Sequence, residues 1–173
     1  MADVPDARAD DVATLVVAVR AGDRAAFTRL YERFHRVVHA IALAHVAAGN
    51  SDDVVQDVFA EVWLKIESLR DAAAFPGWIV TIARRRAVDH ARKRGRIADA
   101  DDSAIAPAPN PEALAALRAL RELPDTYRET MIMRLVEGLT GPEIAERTGM
   151  TPESVRVHLH RGMKLLRDKL EAA

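Results

Sequence analysis

Residues 140–169 read TGPEIAERTGMTPESVRVHLHRGMKLLRDK, and they hold two helix starts separated by a glycine turn. Thr140 and Glu143 have the Thr-x-x-Glu spacing of a capping box, with Pro142 in the first turn, where its missing N–H is no loss. Gly149 follows where a short helix can end in a left-handed residue, and Thr151-Pro152 supplies an N-cap with proline at the first position of a second helix. Ala145, Gly149 and Val155 fall where a helix-turn-helix requires a small residue, a residue tolerating positive φ, and an apolar plug between the helices. Three different steric demands are met in one register, which makes the match specific.

At 100° per residue the second helix puts Val155, Leu159, Gly162 and Leu166 on one side, and Glu153, Val157, His160, Arg161 and Lys164 on the other, with Arg156 beside them. Such a face suits a major groove, where Arg and Lys reach phosphates or guanine edges and Val157 can meet a thymine methyl. A charged helix face is also often only solvated. The turn geometry favours DNA. His158 and His160, two apart, point in different directions and do not form a metal pair.

The chain has 173 residues, enough for one domain or two small ones, and we expect two. With no cysteine, a disulfide framework and thiol-ligated zinc are excluded. No apolar run approaches bilayer length, and the acidic start MADVPDARADD is unlike a signal peptide, so a soluble, unprocessed chain is expected. A net charge of −1 conceals an uneven distribution. Residues 76–96 carry seven basic groups (Arg84, Arg85, Arg86, Arg92, Lys93, Arg94, Arg96) against Asp89 alone. One short segment therefore concentrates positive potential and can hold a phosphate backbone locally.

Periodicity predicts only helices. After a polar, frayed start of eleven residues, a short helix is expected over 11–19. A longer one follows from Asp23 to about Ala48, with Phe27, Leu30, Tyr31, Phe34, Val37, Val38 and Ile41 at helical spacing. His35 and His39 are spaced i, i+4, and Glu32 could add a carboxylate to a metal site, but no complementary ligand pair appears on another helix. Ser51-Asp52-Asp53 is expected to cap the next helix, which carries an apolar stripe from Val54 through Trp63 to Ile66 and extends to about Leu69. Its opposite face shows Asp53, Gln56, Asp57 and Glu61, either solvated or able to dock a basic partner. A loop to Ala74 precedes the helix that Phe75-Pro76 opens, with Trp78, Ile79, Ile82, Ala83 and Ala87 inward and the basic cluster in its second half. Trp78 and Phe75 beside that cluster suit capture of an unstacked base, although the register of Trp78 favours the core. Residues 97–111 (IADADDSAIAPAPNP) lack any period and read as a linker, flexible in its first part and semi-rigid at its proline-rich end. Beyond it come a Leu114–Leu123 helix ended by Pro124, a helix from Asp125 with Met131, Leu135 and Val136 inward and Gly138 as its stop, and the helix-turn-helix.

The string LPDTYRETMIMRLVEGLTGPEIAERTGMTPESVRVHLHRGMKLLRDKL resembles the C-terminal domain of the extracytoplasmic-function (ECF) sigma factors of bacterial RNA polymerase. DDVVQDVFAEVW and FPGWIVTIARRRAVDHARKR resemble the two halves of that family's N-terminal promoter-melting domain, and the three pieces occur in the family's order. The resemblance implies an all-α chain of two small helical domains: a sigma-2-like domain over 1–96, a linker over 97–111 and a sigma-4-like domain over 112–173. It implies that Asp53, Gln56 and Asp57 bind the polymerase clamp. It also implies that the helix from Phe75, with Trp78, Arg84, Arg85, Asp89 and Arg92, recognises and melts the −10 element, and that Ser154, Arg156, His160, Arg161 and Lys164 read the −35 element.

The partners it implies are core RNA polymerase, promoter DNA and an anti-sigma factor, with no cofactor, no small-molecule substrate, no direct membrane insertion and a cytoplasmic location. The chain would be a specificity subunit and not an enzyme. Val157 and His158 depart from the family's usual polar and basic pair, so the −35 preference does not transfer. The short alanine-rich loop at 71–74 likewise leaves the captured base unassigned. The alternatives are a stand-alone helix-turn-helix regulator, a sigma mimic that titrates an anti-sigma factor, and a helical-bundle metalloenzyme built on His35 and His39.

Overall fold

The computed structural model describes residues 11–95 and 111–171. The expectations for residues 1–10, for Arg96 and for the linker at 97–110 lie outside the described residues. Among the described residues there are eight α-helices and no strand: α1 (Val12–Arg20), α2 (Arg24–His45), α3 (Ser51–Lys65), α4 (Phe75–Gly95), α5 (Pro111–Arg121), α6 (Asp125–Leu135), α7 (Gly141–Thr148) and α8 (Pro152–Glu171). Helix α5 starts three residues before the expected Leu114, with proline at its first position.

Helix α2 is the centre of the packing and touches α1, α3 and α4 on one side and α6 on the other. Asp23 starts it by accepting from the Ala25 and Ala26 amides at 2.8 and 3.1 Å. Leu30, Phe34, Val37, Val38 and Ile41 are fully buried along it, and Phe34 meets Phe75 of α4 edge-on at 5.0 Å. It stops at His45, earlier than the expected Ala48, because its last carbonyls find partners elsewhere. Arg121 donates to Leu43 O and Val46 O at 2.9 Å each, and Arg128 to Ala44 O at 3.4 Å. Residues from the C-terminal helices thus complete the exit of the longest N-terminal helix.

Other local expectations also change. Ser51 is not the cap of α3: Asn50 holds that position without a side-chain bond, and Ser51 is a buried first-turn residue whose hydroxyl lies 3.1 Å from His39 Nε2. The stretch after Lys65 is two short 3₁₀ turns, Ile66–Ser68 and Ala72–Ala74, rather than more helix and then loop. Leu135 and Val136 are 46% exposed instead of inward. Helix α6 ends at Leu135, the chain reverses through Gly138 at φ +65°, and Leu139 takes the buried place below Met131, Ile132 and Met133.

Glu61 does not belong to the solvated face of α3. It is 3% exposed and turned toward α4, where Lys65 Nζ reaches it at 2.7 Å, Arg86 Nε at 2.5 Å, and Arg85 is in direct contact. Burial alone pushes this carboxyl up, but the hydrogen bonds from Lys65, Arg85 and Arg86 outweigh it and hold the pKa at about 2. One carboxylate therefore collects three of the chain's cations and ties α4 to α3.

The helix-turn-helix forms as its sequence requires. Thr140 and Glu143 make both halves of the capping box, and Gly149 ends α7 at φ +73°. Thr151 Oγ1 accepts from the Ser154 amide at 3.1 Å to start α8. Ala145 and Val155 are buried between the two helices, and Gly162 lets α8 close on Met131, whose Cγ would lie 2.6 Å from an added Cβ.

Gly149→Ala is expected to cost about 1–2 kcal/mol through the left-handed backbone alone. Urea unfolding should show a lower midpoint with an unchanged slope, while Gly141→Ala, whose Cβ meets nothing closer than Val155 at 4.0 Å, should leave the midpoint in place. Glu61→Gln is expected to lower stability by about 1–3 kcal/mol at pH 7. Because the folded carboxyl titrates near 2, below its unfolded value, its contribution is present above about pH 4.5 and fades toward pH 2. Unfolding free energies of the two proteins should converge over that window.

Candidate nucleic-acid interface

Helix α8 projects its polar side into solvent. Arg156, His160, Arg161 and Lys164 are exposed, and Ser154 is half-buried at the helix start. Arg156, Val157, His160 and Arg161 line one shallow concavity. Arg156 is paired with Glu153 at 2.6 Å in full solvent, a contact that screened water makes easy to exchange for a phosphate. Ser154 keeps its amide and hydroxyl on Thr151, whose own hydroxyl donates to Ser154 Oγ at 2.8 Å. All five residues expected to read duplex DNA thus share one helix face or its first turn.

His158 points the other way. Its ring meets Tyr127 edge-on at 5.5 Å and its Nδ1 lies 3.5 Å from Thr130 Oγ1. Burial and then the nearby Arg161 charge push its pKa down, which favours the neutral imidazole.

The second basic surface lies on α4. Trp78 is half-buried, packs on the core and contacts Phe75 at 5.9 Å, while Phe75 itself is fully buried. Arg84 and Arg85 are each about half exposed at the side chain, Arg92 is exposed and Asp89 is half-buried. Neither Arg84 nor Arg85 is idle. Arg85 contacts Glu61, and Arg84 sends Nη2 to Glu129 Oε2 at 2.7 Å and Nε to both carboxylate oxygens at 2.9 and 3.1 Å.

On α3, Asp53, Gln56 and Asp57 are exposed together on one face, as expected. Asp57 is joined to α4 through His90 Nε2 at 2.8 Å. His35 and His39 stack at 5.9 Å, but His39 spends both nitrogens on Glu137 and Ser51. Among the described residues no group of three or more His, Cys, Asp or Glu side chains is placed to hold a metal ion. No helix among them is long and apolar enough to cross a membrane.

The sequence did not reveal the carboxylates that meet these cations. Glu129 is a buried residue of α6 that accepts from His45 of α2 at 3.0 Å as well as from Arg84 of α4. Burial pushes its carboxyl up, and His45 and Arg84 reverse the direction and hold it low. Glu137 bonds His39 Nδ1 at 2.7 Å and lies 3.8 Å from Arg36, and that bond raises the His39 pKa against the effect of burial. Only Glu61, four residues before Lys65, had a signal in its spacing.

Comparison with known proteins matches this arrangement in both halves. Residues 30–97 match the family model described as Sigma-70 region 2, and residues 113–166 match Sigma-70, region 4. The ECF RNA polymerase sigma factor SigK of Mycobacterium ulcerans is 28% identical, over 98% of this chain and 98% of the relative. The ECF RNA polymerase sigma-E factor of Escherichia coli is 27% identical over 91% and 93%. Among solved structures, CnrH in complex with the cytosolic domain of CnrY aligns over 93% of this chain and 97% of its own, with a TM-score of 0.63 at 22% identity. The sigma factor RpoE bound to the anti-sigma factor NepR from Bartonella quintana aligns over 84% and 96%, with a TM-score of 0.57 at 23% identity. These two likenesses show a common fold. With regions 2 and 4 both matched, in order and across most of its length, the chain belongs to the sigma-70 family of RNA polymerase sigma factors, in its ECF branch.

Proposed function

We propose that this ECF sigma factor uses its three surfaces for three separate tasks. The α3 face with Asp53, Gln56 and Asp57 docks on the clamp of core polymerase. Helix α4, with Trp78, Arg84, Arg85, Asp89 and Arg92, captures the −10 element as its strands separate. Helix α8, with Ser154, Arg156, His160, Arg161 and Lys164, reads the −35 element in the major groove. The observation that carries this reading is the exposed cationic face of α8, held behind a capping box and a left-handed Gly149 turn. A rigid helix presented this way suits duplex reading, while unstacking a base costs a few kcal/mol and calls for a separate apolar and cationic surface.

The division follows in the same terms: residues 1–96 for clamp binding and melting, 97–111 as the connection, and 112–173 for upstream reading. The chemistry of nucleotide addition stays with the polymerase, so the chain itself is a specificity subunit acting in the cytoplasm. An anti-sigma factor is the natural regulator, since the RpoE structure that shares this fold is a complex with the anti-sigma factor NepR, and CnrH is likewise bound to the cytosolic domain of CnrY.

Arg161→Ala is expected to weaken promoter use by about 1–3 kcal/mol, roughly 5- to 150-fold, and to lessen its salt dependence. Affinity for core polymerase should stay within twofold. Transcription and core-binding titrations of the same variant measure both, and equal losses in the two would contradict the assignment. The converse variant, Asp53→Ala with Gln56→Ala, should lose core affinity while the purified chain keeps its wild-type unfolding midpoint.

A further inference from the structure

Helix α8 already has a complete buried side. Val155, Gly162 and Leu166 are buried, and Leu159 and Leu165 pack against the same core. Val157 belongs to neither group. It falls in the middle of the opposite face, between Glu153 and Arg161, and it is half-buried although it is not packed against the core. Arg156, His160 and Arg161 are exposed and stand around it. The four side chains line a concavity of about 410 Å³ in which Val157 is the sole apolar and the least exposed member. Helix formation does not call for a valine here, since a β-branched side chain suits a helix less well than alanine, arginine or lysine. A lone surface valine is ordinary. One recessed between two arginines and a histidine, at the centre of a face suited to a major groove, is a contact site.

We propose that Val157 is a specificity-determining residue, and that the concavity around it takes the C5-methyl group of a pyrimidine: thymine in unmodified DNA, 5-methylcytosine in modified DNA. This inference deepens, and rests on, the assignment of α8 to the −35 element given above. Of the groups that base pairs present in the major groove, the C5-methyl is the apolar one, and the others are hydrogen-bond donors and acceptors. A donor or acceptor set against Val157 gives up water and finds no partner, whereas a methyl group gains by leaving water. The flanking arginines can reach phosphate or guanine with their guanidinium groups while their stems wall the methyl site.

The charges on α8 thus supply affinity for any sequence, and Val157 supplies choice. Val157 carries no charge, so its removal should change which bases are preferred and leave the salt dependence of binding in place, unlike the removal of Arg161.

The test starts from a pool of random duplexes, from which the full chain bound to core polymerase selects its sites. In the selected upstream element each thymine is replaced in turn by deoxyuridine, which removes the methyl and leaves the pairing edge intact. At one position this is expected to lower affinity about fourfold, the worth of one buried methyl group. There 5-methylcytosine should bind better than cytosine by a similar factor. Both differences should vanish in Val157→Ala, which closes a double-mutant cycle between one side chain and one methyl group. Alanine favours a helix more than valine does, so the variant keeps its fold, and its affinity for core polymerase should match the wild type. Absence of any position sensitive to the thymine methyl overturns the inference, and so does discrimination that survives in Val157→Ala or is missing for cytosine. Transcription from the selected duplexes is scored in parallel. Duplexes that bind without initiating fault the functional reading, while the methyl cycle still decides the role of Val157; initiation without a methyl effect faults the role of Val157 alone. Failure to enrich any duplex overturns both.

Discussion

Helix α2 must bury two sides at once, and this constraint sets the rest of the structure. Its apolar residues fill the core shared with α3 and α4, while His39 and His45 and the carbonyls of its last turn face α6 and α5. A helix end without partners is costly, and so is a carboxylate removed from water. The two needs are met together. Arg121 and Arg128 cover the α2 exit, and Glu129 and Glu137 settle on its histidines.

The same electrostatic logic recurs between α3 and α4. The six basic residues of α4, Arg84, Arg85, Arg86, Arg92, Lys93 and Arg94, would repel one another on an isolated helix, yet α4 spans Phe75–Gly95 without interruption. Glu61 draws Arg85 and Arg86 to one side and Glu129 draws Arg84 to another, which leaves Arg92 facing solvent. Positive potential is thereby divided between structural pairs and a surface open to phosphate. On α8 no buried carboxylate intervenes, and Glu153 alone screens Arg156. The two basic surfaces differ in how strongly the protein itself competes for them.

Much of the fold was legible because its determinants are local. Asp23, the Thr140–Glu143 box, Gly149 and Thr151-Pro152 act within one turn of chain, so their spacing alone identifies the helix ends. The α8 faces were equally legible from period alone. What could not be read depended on partners distant in sequence. Glu61 has the same place on the α3 wheel as its solvated neighbours and is buried only because α4 brings Arg85 and Arg86 to it. Leu135 and Val136 continue an apolar pattern, but the reversal at Gly138 hands the buried position to Leu139. Of the candidate site, the exposed α8 and α3 residues followed from periodicity, whereas the engagement of Arg84 by a residue 45 positions away did not.

A sigma factor is defined by what polymerase does in its presence. The direct measurement is transcription by purified core RNA polymerase on a library of promoter fragments, with and without this chain. Initiation at a defined set of start sites, seen only when the chain is added and sharing two upstream sequence elements, is the predicted result. Absence of such initiation while the chain binds DNA without polymerase, or binds only an anti-sigma protein, would contradict the account.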